Sequence, residues 1–303
     1  MFDVVFLGTA ASTPSIDRGL ASLLVRAGRE RFLIDCGEGT QRQLLKSGVG
    51  FRKLSGILLT HAHLDHILGL PGFLSTLALL EAGGEQPMLI GASPGTLRLT
   101  QQLLRGVWPS GRTPLPVTWR ELAPGVIHGT PDLEVRCFTV RHGETDSLGY
   151  VFESPTRRHL IPERLAEVGV PHGPERAKLA RGEPITLADG RVISPDEVTS
   201  PPTPGTKLVV VGDVEDTTDI LPHARGAAAI VIEATFLGPD TALAKARAHL
   251  TARAAAELAR DAGVKALYLT HISGRYGADA VLADAQSVFA DTRVAHDFLT
   301  ISV

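Results

Sequence analysis

The chain has 303 residues, 44% of them hydrophobic and 21% charged, with a formal net charge of −3. That length fits about two domains or one large α/β domain with a sizeable core, and the charge excludes nucleic-acid binding through a globally basic surface, though not through a local basic patch. Two cysteines, Cys36 and Cys137, exclude a disulfide scaffold and a four-cysteine zinc site.

Taken in chain order, residues 4–7 read as a buried strand closed by the Gly8 turn. Residues 20–25 and 31–34 flank Gly28 as a hairpin, and 40–46 are helical. A short buried strand over 57–60 leads into the sequence His61-Ala62-His63-Leu64-Asp65-His66. A helix follows over 67–82, interrupted early by Gly69 and Pro71. Strands are expected at 88–90, 133–140, 149–154, 207–211, 228–232, 266–270 and 298–303, with helices at 96–105 and, Ala-rich and long, at 242–262. Residues 155–206 are rich in Pro, Gly and charge and read as an inserted arm, or a partly separate lobe, on a single domain. No apolar run reaches the roughly 18 residues of a membrane span, and the N-terminus has no basic segment ahead of its apolar stretch. The expectation is a cytoplasmic protein that makes no use of a membrane.

Several strands end on a group that can ionise: Asp35, His61, His142, Asp213, Glu233 and His271. In α/β folds such ends are where sites are built. His61, His63, Asp65 and His66 put four imidazole and carboxylate groups into six residues, a donor set suited to zinc and similar ions. Four ligands cannot close two sites. His142, Asp213 and His271 supply the remainder, although each alone also reads as a loop cap or turn former. His61, His63 and His142 would hold one ion, Asp65, His66 and His271 another, and Asp213 would bridge them. Such a bridge sets two ions about 3.5–4 Å apart, the spacing used for in-line displacement at phosphorus.

The runs FLGTAAS, FLIDCGEGTQRQL, LLTHAHLDHILGLPGF, VVGDVEDT, IEATF and LTHISGRY occur in this order. Together they resemble the ribonuclease Z family over nearly the whole chain. The resemblance implies an α/β fold, the metallo-β-lactamase-like αββα four-layer sandwich with an inserted exosite arm. It implies an endoribonuclease that removes the 3′ trailer of precursor tRNA and leaves a 3′-hydroxyl. The same seven residues would carry two Zn2+ per chain, with Mn2+ or another divalent ion as substitutes. Asp65 would orient or deprotonate the attacking water. Glu233 would orient His249, which would give a proton to the leaving oxygen, and Asp35 would fix a ligand histidine. The family also implies a homodimer in which the arm of one subunit presents RNA to the other.

The chain departs from the family pattern in four places: Leu64 stands where a glycine is usual, Ile232 replaces the histidine of a His-Glu-Ala-Thr motif, the spacing from His142 to Gly149-Tyr150 is one residue longer than usual, and the loop from Gly48 to Ser55 only loosely resembles the family segment that reads the 3′ end of the tRNA. Between Thr156 and Gly182 the arm carries a net charge of +3, a local patch for phosphate contacts. A small-substrate phosphodiesterase or ester hydrolase with the same ions is the rival reading. A non-catalytic RNA-binding subunit is a third, and it predicts no bound metal.

Overall fold

In the computed structural model, which describes residues 1–51, 54–80 and 87–303, two seven-stranded sheets lie face to face between layers of helices. The first sheet runs Thr300–Ser302, Asp3–Gly8, Ser22–Ala27, Glu30–Ile34, Gly56–Leu58, Met88–Ala92, Val117–Glu121. The second runs Thr292–Val294, Leu267–Thr270, Ala229–Glu233, Lys207–Val210, Thr145–Glu153, Leu133–His142, Gly125–Thr130.

The apolar strands are continuous because both of their faces are covered. In Asp3–Gly8, Val4 and Phe6 point between the sheets while Val5 and Leu7 point under the helices Thr40–Ser47 and Leu70–Leu79. In the second sheet Leu208 and Val210 face inward and Val209 faces the helix Ala252–Ala262. Each layer thus buries one stripe of every central strand, which is the αββα sandwich expected from the motifs.

The two sheets are stitched at one end. The Tyr150 hydroxyl donates to the Leu59 carbonyl at 2.6 Å, and the Leu148 amide donates to the Thr60 carbonyl at 2.9 Å. At this end the strands Asp3–Gly8, Glu30–Ile34, Gly56–Leu58, Lys207–Val210, Ala229–Glu233 and Leu267–Thr270 all finish. Their following loops converge there.

The expected helix over 67–82 is two helices, Leu64–Ile67 and Leu70–Leu79, and its last two residues lie outside the described segments. Gly69 separates them for a steric reason. A Cβ there would lie 2.0 Å from the Gly37 carbonyl oxygen, and the Gly69 amide donates to Cys36 at 2.9 Å. The long helix over 242–262 is likewise two, Thr241–Ala246 and Ala252–Ala262. Alanine content favours helix throughout, but Ala248 adopts a left-handed φ of 57° and Thr251 caps a new start by accepting from the Ala254 amide. The strand expected at 298–303 is confined to Thr300–Ser302, because Phe298 turns at φ 68°. The strands Val117–Glu121, Gly125–Thr130 and Thr292–Val294 and the helix Ala278–Gln286 have no counterpart in the sequence reading. Gly125–Thr130 is largely exposed and has no clean alternation to betray it, whereas Val117–Glu121 carries a short alternation, Val117 and Trp119 packed against the core and Thr118 and Arg120 exposed.

Residues 155–206 fold around a core of their own made by Leu165, Val170, Leu179, Ile185, Ile193 and Val198. This lobe leaves Thr145–Glu153 and returns to Lys207–Val210, so it is rooted at the end of the second sheet opposite the converging loops. The length of Thr145–Glu153 separates root and loops by about 25 Å. Over its whole length the lobe has seven basic and seven acidic residues. Five of the seven basic side chains are paired with acids, among them Arg157 with Asp132 at 2.7 Å, Arg181 with Glu183 at 2.8 Å, Lys178 with Glu175 at 3.2 Å, and Arg158 with Asp196. The +3 counted from Thr156 to Gly182 omits the acids Glu183, Asp189, Asp196 and Glu197 that follow.

Candidate metal centre

All seven groups singled out in the sequence lie at the end of the sandwich where the two sheets are stitched. The loop after Gly56–Leu58 turns His61 inward, and the short helix Leu64–Ile67 brings His66 back beneath it. His142 ends its strand, Asp213 follows Lys207–Val210 by a glycine turn, and His271 leaves Leu267–Thr270 at a left-handed φ of 54°.

They sort into two clusters. In the first, His63 Nδ1 is 2.9 Å from His61 Nε2 and 3.2 Å from His142 Nε2. Asp213 Oδ2 is 3.7 Å from His61 Nε2 and 3.8 Å from His142 Nε2. In the second, His271 Nε2 is 3.3 Å from both Asp65 Oδ2 and Asp213 Oδ1, and His66 Nε2 is 3.4 Å from Asp213 Oδ1. The two carboxylate oxygens of Asp213 therefore face different clusters.

A divalent ion fits this donor set. Bonds of about 2.0–2.1 Å in a tetrahedron give ligand–ligand edges of about 3.3–3.4 Å, the separations seen in the second cluster. His66 Nε2 and Asp213 Oδ1 are buried and make no hydrogen bond, a costly arrangement for polar atoms unless another group completes them. The electrostatics agree. Burial disfavours charge on His66, yet Asp213 and Asp35 on either side hold its pKa well above the usual imidazole range. Burial and then the neighbouring His66 push His61 well below that range. Burial also opposes the Asp213 anion, but His271 and His66 keep its pKa well below the usual carboxylate range. A proton lodged among such groups is what a bound cation displaces.

Behind the clusters, Asp35 Oδ1 accepts from the Thr60 amide at 2.7 Å, and Asp35 Oδ2 lies 2.7 Å from His66 Nδ1. His142 Nδ1 lies 2.7 Å from the Ala248 carbonyl. The break between the two Ala-rich helices thus has a purpose: it presents that carbonyl to His142 and places His249 over the clusters. His249 is not on a helix face, as the sequence reading had it. Its Nδ1 lies 2.9 Å from Glu233 Oε1. Burial lowers the His249 pKa, but Glu233 and then Asp213 raise it to about 9. Glu233 is wholly buried, with Oε1 also accepting from the Val214 amide at 2.8 Å and Oε2 from the Thr235 hydroxyl at 2.6 Å.

The sequence reading missed Ser12, Thr60, Thr235 and Ala248. The Ser12 amide, at a left-handed φ of 54°, donates to Asp65 Oδ2 at 2.9 Å. Backbone donors leave no mark in residue type. Thr60 directly precedes His61 and Thr235 follows Glu233 by two, and that adjacency was the available signal. Of the departures noted above, Ile232 packs into the outer core away from the clusters. Leu64, 60% exposed, stands between His63 and Asp65 and adds an apolar side chain to the rim.

A family model described as "Anti-Pycsar protein Apyc1" matches residues 2–156, ending where the lobe begins. Ribonuclease Z of Bradyrhizobium sp. (strain ORS 278) is 52% identical over 303 residues, covering all of both chains. The crystal structure of human tRNase Z, short form (ELAC1), superposes with a TM-score of 0.69 over 99% of each chain at 24% identity. The metallo-beta-lactamase fold protein YhfI from Bacillus subtilis gives a TM-score of 0.69 over 99% of this chain and 98% of its own, at 17% identity. Aligned over its whole length at 52% identity, the chain belongs to the ribonuclease Z family, and its fold is that of metallo-β-lactamase-fold proteins.

Proposed function

We propose that this protein is a cytoplasmic, two-zinc endoribonuclease that cuts precursor tRNA at the base of its 3′ trailer and leaves a 3′-hydroxyl on the tRNA. One observation carries the metal part of the reading. Asp213 Oδ1 is shared with His271 and His66 at 3.3 and 3.4 Å, while Asp213 Oδ2 faces His61 and His142 at 3.7 and 3.8 Å. A carboxylate so divided suits the bridge of a two-ion site. Full-length relatives named ribonuclease Z, and the human structure titled tRNase Z, support the substrate.

His61, His63 and His142 would hold one ion and Asp65, His66 and His271 the other. Zinc ions there would supply Lewis acidity toward the phosphate and bring the pKa of water to about 7. Asp65 is held by the Ser12 amide through Oδ2, and it would align the attacking water and accept its proton. His249 is tethered at Nδ1 by Glu233, which leaves Nε2–H to protonate the leaving oxygen. The leaving oxygen is the 3′-oxygen of the tRNA, so protonation leaves a 3′-hydroxyl there and the phosphate, with the oxygen of the attacking water, stays on the trailer as its 5′-phosphate.

The lobe at 155–206 would serve as the exosite. Its exposed ion pairs are weak, each worth about 0–1 kcal/mol, so its arginines can exchange carboxylate for RNA phosphate at little cost. Its root lies at the far end of the sheet from the clusters, a placement better suited to RNA bound at a neighbouring copy. That favours a homodimer. Among the described residues no helix is long and apolar enough to cross a membrane.

The test is incubation with an unprocessed tRNA transcript and mapping of the new 3′ end. Cleavage at the trailer junction, abolished by Asp65→Ala, is the expected result. Intact transcript beside rapid hydrolysis of a small diester would transfer the assignment to the rival reading.

A further inference from the structure

Five histidines point ring nitrogens into the two clusters, and the opposite nitrogen of each is the handle by which the protein sets its tautomer. His66 uses the Asp35 carboxylate and His142 the Ala248 carbonyl. His61 and His271 have neither. His61 Nδ1 lies 3.0 Å from the hydroxyl of Thr60, and His271 Nδ1 lies 2.9 Å from the hydroxyl of Thr235.

Each hydroxyl also meets a buried carboxylate. Thr60 Oγ1 donates to Asp35 Oδ2 at 2.8 Å, and Thr235 Oγ1 donates to Glu233 Oε2 at 2.6 Å. A hydroxyl has one proton to give. The carboxylate takes it, because a charge-assisted bond is the stronger. Toward the histidine, the threonine oxygen then acts as an acceptor. Nδ1 of both His61 and His271 must carry the hydrogen, and both Nε2 atoms must present a lone pair. Those Nε2 atoms are the ones aimed at Asp213 and its neighbours.

We infer that Thr60 and Thr235 are positioning residues of the metal centre, one for each ion, which lock the ligand tautomer of His61 and His271 by relaying the charge of Asp35 and Glu233 through a hydroxyl. The inference rests on the two-ion reading above. A separate observation fits it at Thr60. A Cβ on Gly212 would lie 2.7 Å from Thr60 Oγ1. The residue before Asp213 must therefore be glycine for that hydroxyl to keep its place. The Thr235 relay also gives Glu233 a second task, since its other oxygen holds His249.

The test uses full-length zinc-loaded protein and reads metal binding, with no RNA present. Long-range 15N–1H correlation of the histidine rings in the wild type should show His61 and His271 protonated at Nδ1. Zn2+ affinity is then measured by chelator competition in Thr60→Val, Thr60→Ser, Thr235→Val and Thr235→Ser. Each valine variant should lose about 10- to 100-fold in affinity for one of the two ions, the size of effect seen when such outer partners of a metal site are removed. Each serine variant should return to within a few-fold of wild type. An Nε2-protonated tautomer in the wild type overturns the inference even if a valine variant does not fold. So do valine variants that hold both ions as tightly as wild type, or serine variants as weak as valine. A wild-type protein that binds no zinc overturns the two-ion reading itself, and the inference with it.

Discussion

Glu233 Oε1 sits 2.9 Å from His249 Nδ1, at the one point where the run between two Ala-rich helices leaves regular structure. The carboxylate is buried completely, and its neighbour is raised to about 9. A histidine that must give a proton works only while it is protonated, so activity should fall as pH rises through its pKa. Replacing the carboxylate by an amide removes the charge that raises that pKa. In Glu233→Gln the alkaline limb of the kcat profile should therefore move to lower pH, by about one unit or more. His249→Ala should lower kcat by about 10²- to 10⁴-fold. An alkaline limb that stays in place in Glu233→Gln would separate His249 from the proton transfer.

Asp213 serves both clusters, whereas His63 touches only one. Asp213→Ala should leave less than one tightly held zinc per chain, and His63→Ala about one, where a two-metal site holds about two. Elemental analysis after gel filtration reads this directly. Chelation of the wild type should also lower its melting temperature, because ligand present at 1,000 times its Kd contributes about 4 kcal/mol to the folded state. Equal metal loss in the two variants would remove the bridge.

Ser154 and Thr206 meet across the root of the lobe, where the Ser154 amide donates to the Thr206 carbonyl at 2.9 Å. Residues 155–206 can therefore be replaced by a tight turn without disturbing the pairing of Glu153 with Lys207. The shortened protein should hydrolyse a small aryl phosphodiester at close to the wild-type rate and fail to cut precursor tRNA. Undiminished tRNA cleavage would end the exosite reading.

Gly69 and Gly37 pack backbone to backbone beneath His66. Gly69→Ala would set a methyl group 2.0 Å from the Gly37 carbonyl oxygen and 2.8 Å from that of Cys36. Urea titration should show a loss of about 1–3 kcal/mol, with weakened zinc binding as the Leu64–Ile67 helix shifts. A variant of wild-type stability would show that the contact can relax.

Sequence and structure divide the explanation unevenly. The seven ionisable groups were legible because four of them are bunched within six residues after an apolar strand and the other three come at or just past the ends of apolar runs, which are local facts. The four-layer sandwich was legible from the family motifs, and the inner strands from their apolar length. The break at Ala248 was not, since alanine favours helix at every position around it and only the capping by Thr251 signals otherwise. The edge strand at Gly125–Thr130 was hidden because exposure removes the alternation that marks a strand, while Val117–Glu121 shows only two apolar residues, Val117 and Trp119, too short an alternation to stand out.

By itself the sequence determined which donor atoms this protein owns and that they sit at strand ends. Tertiary structure alone decided that Asp213 divides its two oxygens between clusters, that Thr60 and Thr235 stand behind His61 and His271, and that the lobe hangs from the end of the sheet remote from them. The reason is physical. Donor type and local periodicity are properties of neighbouring residues. Which atom faces which is set by the register of strands brought together from distant parts of the chain, and only the packing of two sheets fixes that register.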